Sequence, residues 1–265
     1  MVTRYTRRQA LESAALTAAA GFVLRRLYAP ELAWAKDAAY TVGAVAQPVT
    51  LNFQVKYQGK VPKPIMREVA VDQGVAGKEP RVWESLNLGK GQEVKDAIVV
   101  LEGIATGKAW AAEDPMAYAE RAFILDRAAV YGWAKGSETS LRLENKDPIL
   151  HSWVLTLDGR PGPNVATLPG KAPGKTKIKR TGLYELTCGP HPWERGFRVF
   201  APTPYYGKSN DSGAVAISEV PAGAYTATIW AEGFVPQKVQ IAAGQTELKF
   251  EFTQAHLSKD LAKNV

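Results

Sequence analysis

Apolar and polar residues in this chain recur with period two far more often than with the period of a helix. Thr139-Ser140-Leu141-Arg142-Leu143-Glu144-Asn145 alternates, placing Leu141 and Leu143 on one face of a strand. Similar short runs fall at Tyr40–Val45, Thr50–Tyr57, Phe123–Leu125, Ala128–Trp133, Trp153–Leu157, Phe197–Ala201, Val239–Ile241 and Thr246–Phe252, separated by Gly- and Pro-bearing turns. Ala97-Ile98-Val99-Val100-Leu101 is apolar throughout, which predicts a strand buried on both faces. Residues 72–93 and 158–174 read as loops, and 254–265 as a frayed polar tail. The alanine-rich 108–121 reads as the one short helix. Glu68–Val71 is a further strand candidate, and Pro202-Thr203-Pro204 a hinge. The pattern predicts an all-β protein.

Composition adds an address. The N-terminus carries Thr6-Arg7-Arg8-Gln9-Ala10-Leu11, which resembles a twin-arginine motif, followed by an apolar run from Ser13 to Leu24 and an Ala33-Trp34-Ala35 cleavage signal. The run is short for a bilayer span. Residues 1–35 are therefore expected to be an export signal, leaving a periplasmic chain from Lys36 with no stable membrane span. An uncleaved amphipathic anchor is the alternative. The precursor has a net charge of +7; five arginines and two glutamates lie in the leader, so the rest is only mildly basic. That argues against nucleic acid, which calls for a clustered basic face.

The chemistry concentrates in Cys188-Gly189-Pro190-His191-Pro192-Trp193-Glu194-Arg195-Gly196. Cys188 is the single cysteine, so no intrachain disulfide forms, and a free thiol in an oxidising compartment calls for ligation or burial. Cys-x-x-His on a Pro-rich turn pairs a soft sulfur with a borderline nitrogen, a combination that suits copper or zinc. His151 adds a second imidazole, and two His with one Cys form the equatorial set of a trigonal copper site. No Ser-His-Asp pattern, phosphate loop or dinucleotide fingerprint is present.

The stretch Cys-x-Pro-His-Pro-aromatic-x-Arg-Gly-x-x-Val, at Cys188 to Val199, resembles the ligand loop of amicyanin and the plastocyanin-like cupredoxins of methylamine utilisation. Asn145 to His151 matches the family's Asn-x5-His spacing, and Gly182-Leu183-Tyr184-Glu185-Leu186-Thr187-Cys188 its Gly-x-Tyr-x-x-x-Cys strand. The resemblance spans roughly residues 120–201, with a looser likeness in Val55–Pro62 and Leu101-Glu102-Gly103. It implies a cupredoxin-type Greek-key β-sandwich over 118–202, with copper held by His151, Cys188 and His191. Glu194 stands where the family has its axial Met, and Ser152 where amicyanin-like sequences have Asn. A carboxylate there should favour Cu(II), lower the potential and shift the colour from blue. The family pattern also implies a His191 ring edge at the surface, rimmed by Trp193, for docking an unidentified redox partner.

Residues 203–253, with Asp211-Ser212-Gly213 and Val220-Pro221-Ala222-Gly223-Ala224-Tyr225, resemble the end of a carboxypeptidase-regulatory-like, transthyretin-type β-sandwich; residues 40–108, within an N-terminal β region 36–117, would supply its missing strands, the alternative being one enlarged cupredoxin with a short C-terminal extension. The functional expectation is an exported copper-binding electron carrier rather than an enzyme, although a metal position left open by Glu194 would permit chemistry. Zinc is the alternative metal. The alternative function is a metal-free β-sandwich interaction module.

Overall fold

The computed structural model describes residues 39–120, 123–125, 127–157 and 159–265. The leader, 1–35, lies outside the described residues. The chain is all-β, with strands β1 (Thr41–Val42), β2 (Val49–Gln58), β3 (Ile65–Arg67), β4 (Arg81–Glu84), β5 (Ile98–Glu102), β6 (Thr106–Gly107), β7 (Met116–Glu120), β8 (Phe123–Leu125), β9 (Ala128–Gly132) and β10 (Ser140–Asn145). There follow β11 (His151–Leu157), β12 (Arg160–Thr167), β13 (Gly174–Lys177), β14 (Gly182–Cys188), β15 (Arg195–Ala201), β16 (Tyr206–Lys208), β17 (Ala214–Val220), β18 (Tyr225–Trp230), β19 (Gln237–Ile241) and β20 (Glu247–Thr253). One short helix, α1 (Gln73–Ala76), lies between β3 and β4. Among the described residues no helix is long and apolar enough to cross a membrane.

The strands build two β-sandwiches. In one, the sheet β13-β10-β7-β8 faces β12-β11-β14-β15-β9. Leu141 and Leu143 of β10 meet Trp153 and Leu155 of β11, Leu186 of β14 and Phe200 of β15 in a single core. In the other, β16-β5-β18-β19 faces β17-β2-β20, and Phe53 and Val55 pack on Val99, Leu101, Ile217, Ile229 and Phe252. N-terminal strands β2 and β5 thus pair directly with C-terminal strands β17, β20, β16 and β18.

The uninterrupted apolar run in β5 has a simple cause. Val99 and Leu101 point into the second core, while Ile98 and Val100 point the other way and pack with Trp230 against Ala128, Phe197, Val199 and Ala201 of the first sandwich. A strand between two cores has no solvent face to carry polar residues.

Several segments differ from their sequence reading. The alanine-rich stretch contains strand β7, paired parallel to β10, with Ala117 and Ala119 buried; sheet pairing and burial override helix propensity there. The expected loop 158–174 contains β12, whose Pro161 and Pro163 are tolerated because β12 is an edge strand. The strand expected at Glu68–Val71 lies slightly earlier, at β3, and the loop 72–93 includes α1 and β4. Pro202-Thr203-Pro204 is buried rather than an open hinge. The tail folds into two 3-10 turns, Gln254–His256 and Leu261–Asn264, anchored by buried Leu257 and Leu261. Lys175 and Lys177 are exposed on β13, an edge strand, where lysine discourages pairing with another chain.

Charged groups also join the two sandwiches. The Arg127 guanidinium donates to Glu232 Oε1 at 2.5 Å and to the Trp83 carbonyl at 3.0 Å. Burial pushes the Glu232 carboxyl up to about 7; Arg127 and Arg195 oppose this and Glu84 reinforces it. Its folded value is raised, so its contribution is fully present below the ordinary glutamate range and is lost as pH rises through about 7. The shift corresponds to about 3 kcal/mol at most. Glu232→Gln, which can still accept from Arg127, should flatten the pH dependence of unfolding free energy between about pH 4.5 and 7. An unchanged slope in urea titrations across that window would contradict this.

Candidate metal centre

The site is assembled at the end of the first sandwich from two strand ends and one tight loop. Asp147-Pro148 interrupts the chain between β10 and β11, because proline cannot continue the ladder. The Asn145 side chain holds the resulting turn. Its Oδ1 accepts from the Asp147 backbone N–H at 2.8 Å, and its Nδ2 donates to the carbonyls of Ile149 at 2.7 Å and Thr167 at 2.9 Å. His151 then opens β11, fully buried.

Cys188 ends β14, directly opposite Trp153 of β11. The loop beyond it closes on itself, with the Glu194 N–H donating to the His191 carbonyl at 2.9 Å and Pro192 at the first corner. Gly189 N–H donates to the Ser152 carbonyl at 2.9 Å, and the Ser152 N–H points at Cys188 Sγ at 3.5 Å. The loop is thus fixed to β11, and Ser152 contributes through its backbone.

His151, Cys188, His191 and Glu194 converge, each offering one ligand atom, all within 4.8 Å of one another, and all four are buried. The two Nδ1 atoms are 3.3 Å apart; Cys188 Sγ lies 3.4 Å from His191 Nδ1 and 3.7 Å from His151 Nδ1. Glu194 Oε2 is 2.8 Å from His151 Nδ1 and 3.7 Å from His191 Nδ1. Nitrogen and sulfur ligands about 2.0–2.3 Å from one ion, at near-tetrahedral angles, stand about 3.3–3.6 Å apart. The nitrogen and sulfur spacing therefore fits one metal ion, while Glu194 Oε2 stands at hydrogen-bond distance from His151 Nδ1. Glu194 Oε1 is buried and, among the described residues, has no hydrogen-bond partner, a costly state for a carboxylate oxygen that a cation would relieve.

Electrostatics agree with that fit. Burial pushes the Cys188 thiol up, and the Glu194 carboxylate adds to the shift, so the sulfur keeps its proton until a cation displaces it. Burial alone would raise Glu194, but hydrogen bonds from His151 and His191 outweigh it and hold the carboxyl below its ordinary range. Burial likewise disfavours a charged His191, and hydrogen bonds to Glu194 and Asp72 reverse that.

Outside the cluster, each imidazole turns its far nitrogen to a carboxylate. His151 Nε2 lies 2.9 Å from Asp147 Oδ2, and His191 Nε2 lies 2.9 Å from Asp72 Oδ2. Sequence reasoning missed both aspartates. Asp147 had a signal, standing beside Pro148 four residues before His151; Asp72 had none, being 119 residues from its partner.

The expectation of an exposed His191 edge is corrected. His191 is fully buried and Trp193 nearly so. The segment from β3 to β4 crosses over them, and Val69 and Ala76 pack on Trp193, with Ile149 against the group. His256, in the stretch read as a frayed tail, is half-buried, and its Nδ1 accepts from the Thr253 N–H at 3.0 Å. The Met116 sulfur contacts the Arg142 guanidinium at 3.6 Å, and Met66 is exposed.

Residues 203–248 match the family described as polysaccharide lyase family 4, domain II. No curated protein matches the chain. Similar solved structures include an amicyanin variant in its reduced state, 15% identical, covering 34% of this chain and 84% of its own, with a TM-score of 0.28. A Cu-containing nitrite reductase from Thermus scotoductus SA-01 is 15% identical, covers 35% of this chain and 23% of its own, and has a TM-score of 0.28. A purple cupredoxin from Nitrosopumilus maritimus is 16% identical, covers 33% of this chain and 99% of its own, and has a TM-score of 0.26.

Proposed function

We propose that this chain is an exported, copper-binding cupredoxin-like protein that carries single electrons in the periplasm, with the ion held by His151, Cys188, His191 and Glu194. The observation that carries the reading is the convergence of one sulfur and two Nδ1 atoms at 3.3–3.7 Å beside a buried, unpartnered carboxylate oxygen. Bound copper would supply a one-electron couple. The chain's part is to hold the donors still. Both imidazoles are tied at their far nitrogens, and the cysteine is fixed by β14 and by the Ser152 N–H. A rigid donor set lowers the rearrangement that accompanies a change of charge. Glu194 adds a hard, anionic donor, which favours Cu(II) over Cu(I) and lowers the potential.

In this reading residues 118–202 form the copper-binding unit, between a 36–117 region and a 203–253 region that together form the second sandwich. The leader directs twin-arginine export. A redox partner would dock elsewhere than the imidazole edge that ordinarily serves, since the β3–β4 crossing covers it. Nucleic acid is not a partner in this reading.

A structural zinc site is the second reading. Its support is a closed set of one Cys, two His and one Glu with every donor buried, as four-coordinate zinc requires. The deciding experiment is titration of the purified chain with Cu(II) and with Zn(II), following bound metal and visible absorption. One copper per chain with intense sulfur-to-copper absorption is expected. Tight zinc with weak, colourless copper binding would favour the second reading. Binding of neither would leave the metal-free interaction module.

A further inference from the structure

We propose that Asp72 is a positioning residue of the metal centre, a carboxylate delivered by the β3–β4 crossing that fixes His191 with Nδ1 turned toward Cys188. The inference rests on the metal-binding reading above and adds a residue that lies outside the ligand loop and its flanking strands.

Three observations converge on Asp72. Its Oδ2 lies 2.9 Å from His191 Nε2 across 119 residues of sequence. It occupies the N-cap position of α1, where an aspartate side chain ordinarily accepts from its own helix, yet it makes no side-chain cap. The side chain is spent on His191 instead. Its backbone sits in the left-handed region, φ 49°, ψ 33°, a conformation aspartate tolerates better than most residues but which still carries a cost. The crossing is held down independently of Asp72 by Val69 and Ala76 on Trp193. Removing the carboxylate therefore leaves the crossing docked.

The consequence is chemical. An acceptor at Nε2 holds a proton on that atom, so that a metal ion need displace only the Nδ1 proton to take the lone pair facing Cys188. A full negative charge at Nε2 also makes the ring a stronger donor, which stabilises the more highly charged metal state. Asp147 does the same for His151 from within its own loop. Asp72 differs in being 43% exposed and borne by a segment remote in sequence, so the order of the donor set depends on that segment being in place.

The test compares wild type, Asp72→Asn and Asp72→Ala as full chains. The readouts are Cu(II) and Zn(II) affinity by chelator competition, the visible and EPR spectra, the reduction potential, and the melting temperature without metal. Asp72→Ala should lose 10- to 100-fold in metal affinity, with an altered spectrum, in addition to a small loss of metal-free melting temperature from leaving His191 Nε2 unpaired. Its potential should rise by about 59 mV for each tenfold loss of preference for Cu(II). Asp72→Asn keeps an acceptor but not the charge. It should keep the wild-type spectrum while its potential rises. Wild-type metal binding with Asp72→Ala unchanged in affinity, spectrum and potential would overturn the inference alone. So would a loss confined to metal-free stability. A wild type that binds neither metal would overturn both the inference and the reading beneath it.

Discussion

Cys188→Ser is expected to abolish intense visible absorption in the copper-loaded protein and to weaken Cu(I) binding at least 100-fold, an order of magnitude set by loss of the soft donor. The band would arise from charge transfer between thiolate sulfur and Cu(II), and Cys188 is the only sulfur in the donor cluster. A serine hydroxyl is a harder oxygen donor and keeps its proton at neutral pH, so it replaces neither the electron density nor the charge. The fold should survive. Ser152 N–H, which points at the sulfur, can point at the hydroxyl, and the buried serine costs about 1–3 kcal/mol. Circular dichroism and melting of the metal-free variant would confirm that. A variant that kept the band would show that copper is bound somewhere other than this cluster.

Trp153→Ala should carry the largest stability loss of any single change near the site. Trp153 is fully buried in the first core, one β11 residue beyond Ser152 and directly opposite Cys188. Its ring stacks on His151 with centroids 5.7 Å apart, and its Nε1–H donates to Thr167 Oγ1 at 3.2 Å. Truncation removes the packing, leaves a cavity and removes the donor to Thr167 Oγ1, which keeps only its own bond to the His151 carbonyl at 3.4 Å. The expected loss is about 3–5 kcal/mol, or roughly 6–20 °C in melting temperature for a chain of this size. Trp153→Phe keeps most of the buried area and should cost much less. Because the ring also supports His151, the alanine variant should broaden the copper spectrum as well as lower stability. A narrow spectrum with a small change in melting temperature would mean that neighbouring side chains collapse into the space.

Some features were open to reading from sequence because they are local. Strand alternation is one: Leu141 and Leu143 face the core because successive side chains point to opposite faces. The doubly buried run in β5 is another, since a strand without polar positions has no face to offer water. The four donor residues were also visible, three of them within seven positions of one another on a turn that Pro192 helps to form. Propensity misled where sheet pairing overruled it. Ala117 and Ala119 favour helix in isolation, yet small side chains are also what β7 needs where it lies buried against the core.

The sequence alone determined the period of the strands, the turns between them, and the kinds of donor atom gathered around Cys188, because each depends on neighbours a few residues away. Tertiary structure decided the rest. It brought His151 to within 3.7 Å of Cys188 across 37 residues. It spent the Asp72 carboxylate on His191, and it covered the imidazole edge that the ligand-loop pattern alone would leave open. The first follows from the pairing of β11 with β14; the other two depend on where the β3–β4 crossing comes to rest. That is set by packing of Val69 and Ala76 on Trp193, a contact between distant segments that leaves no periodic trace in either.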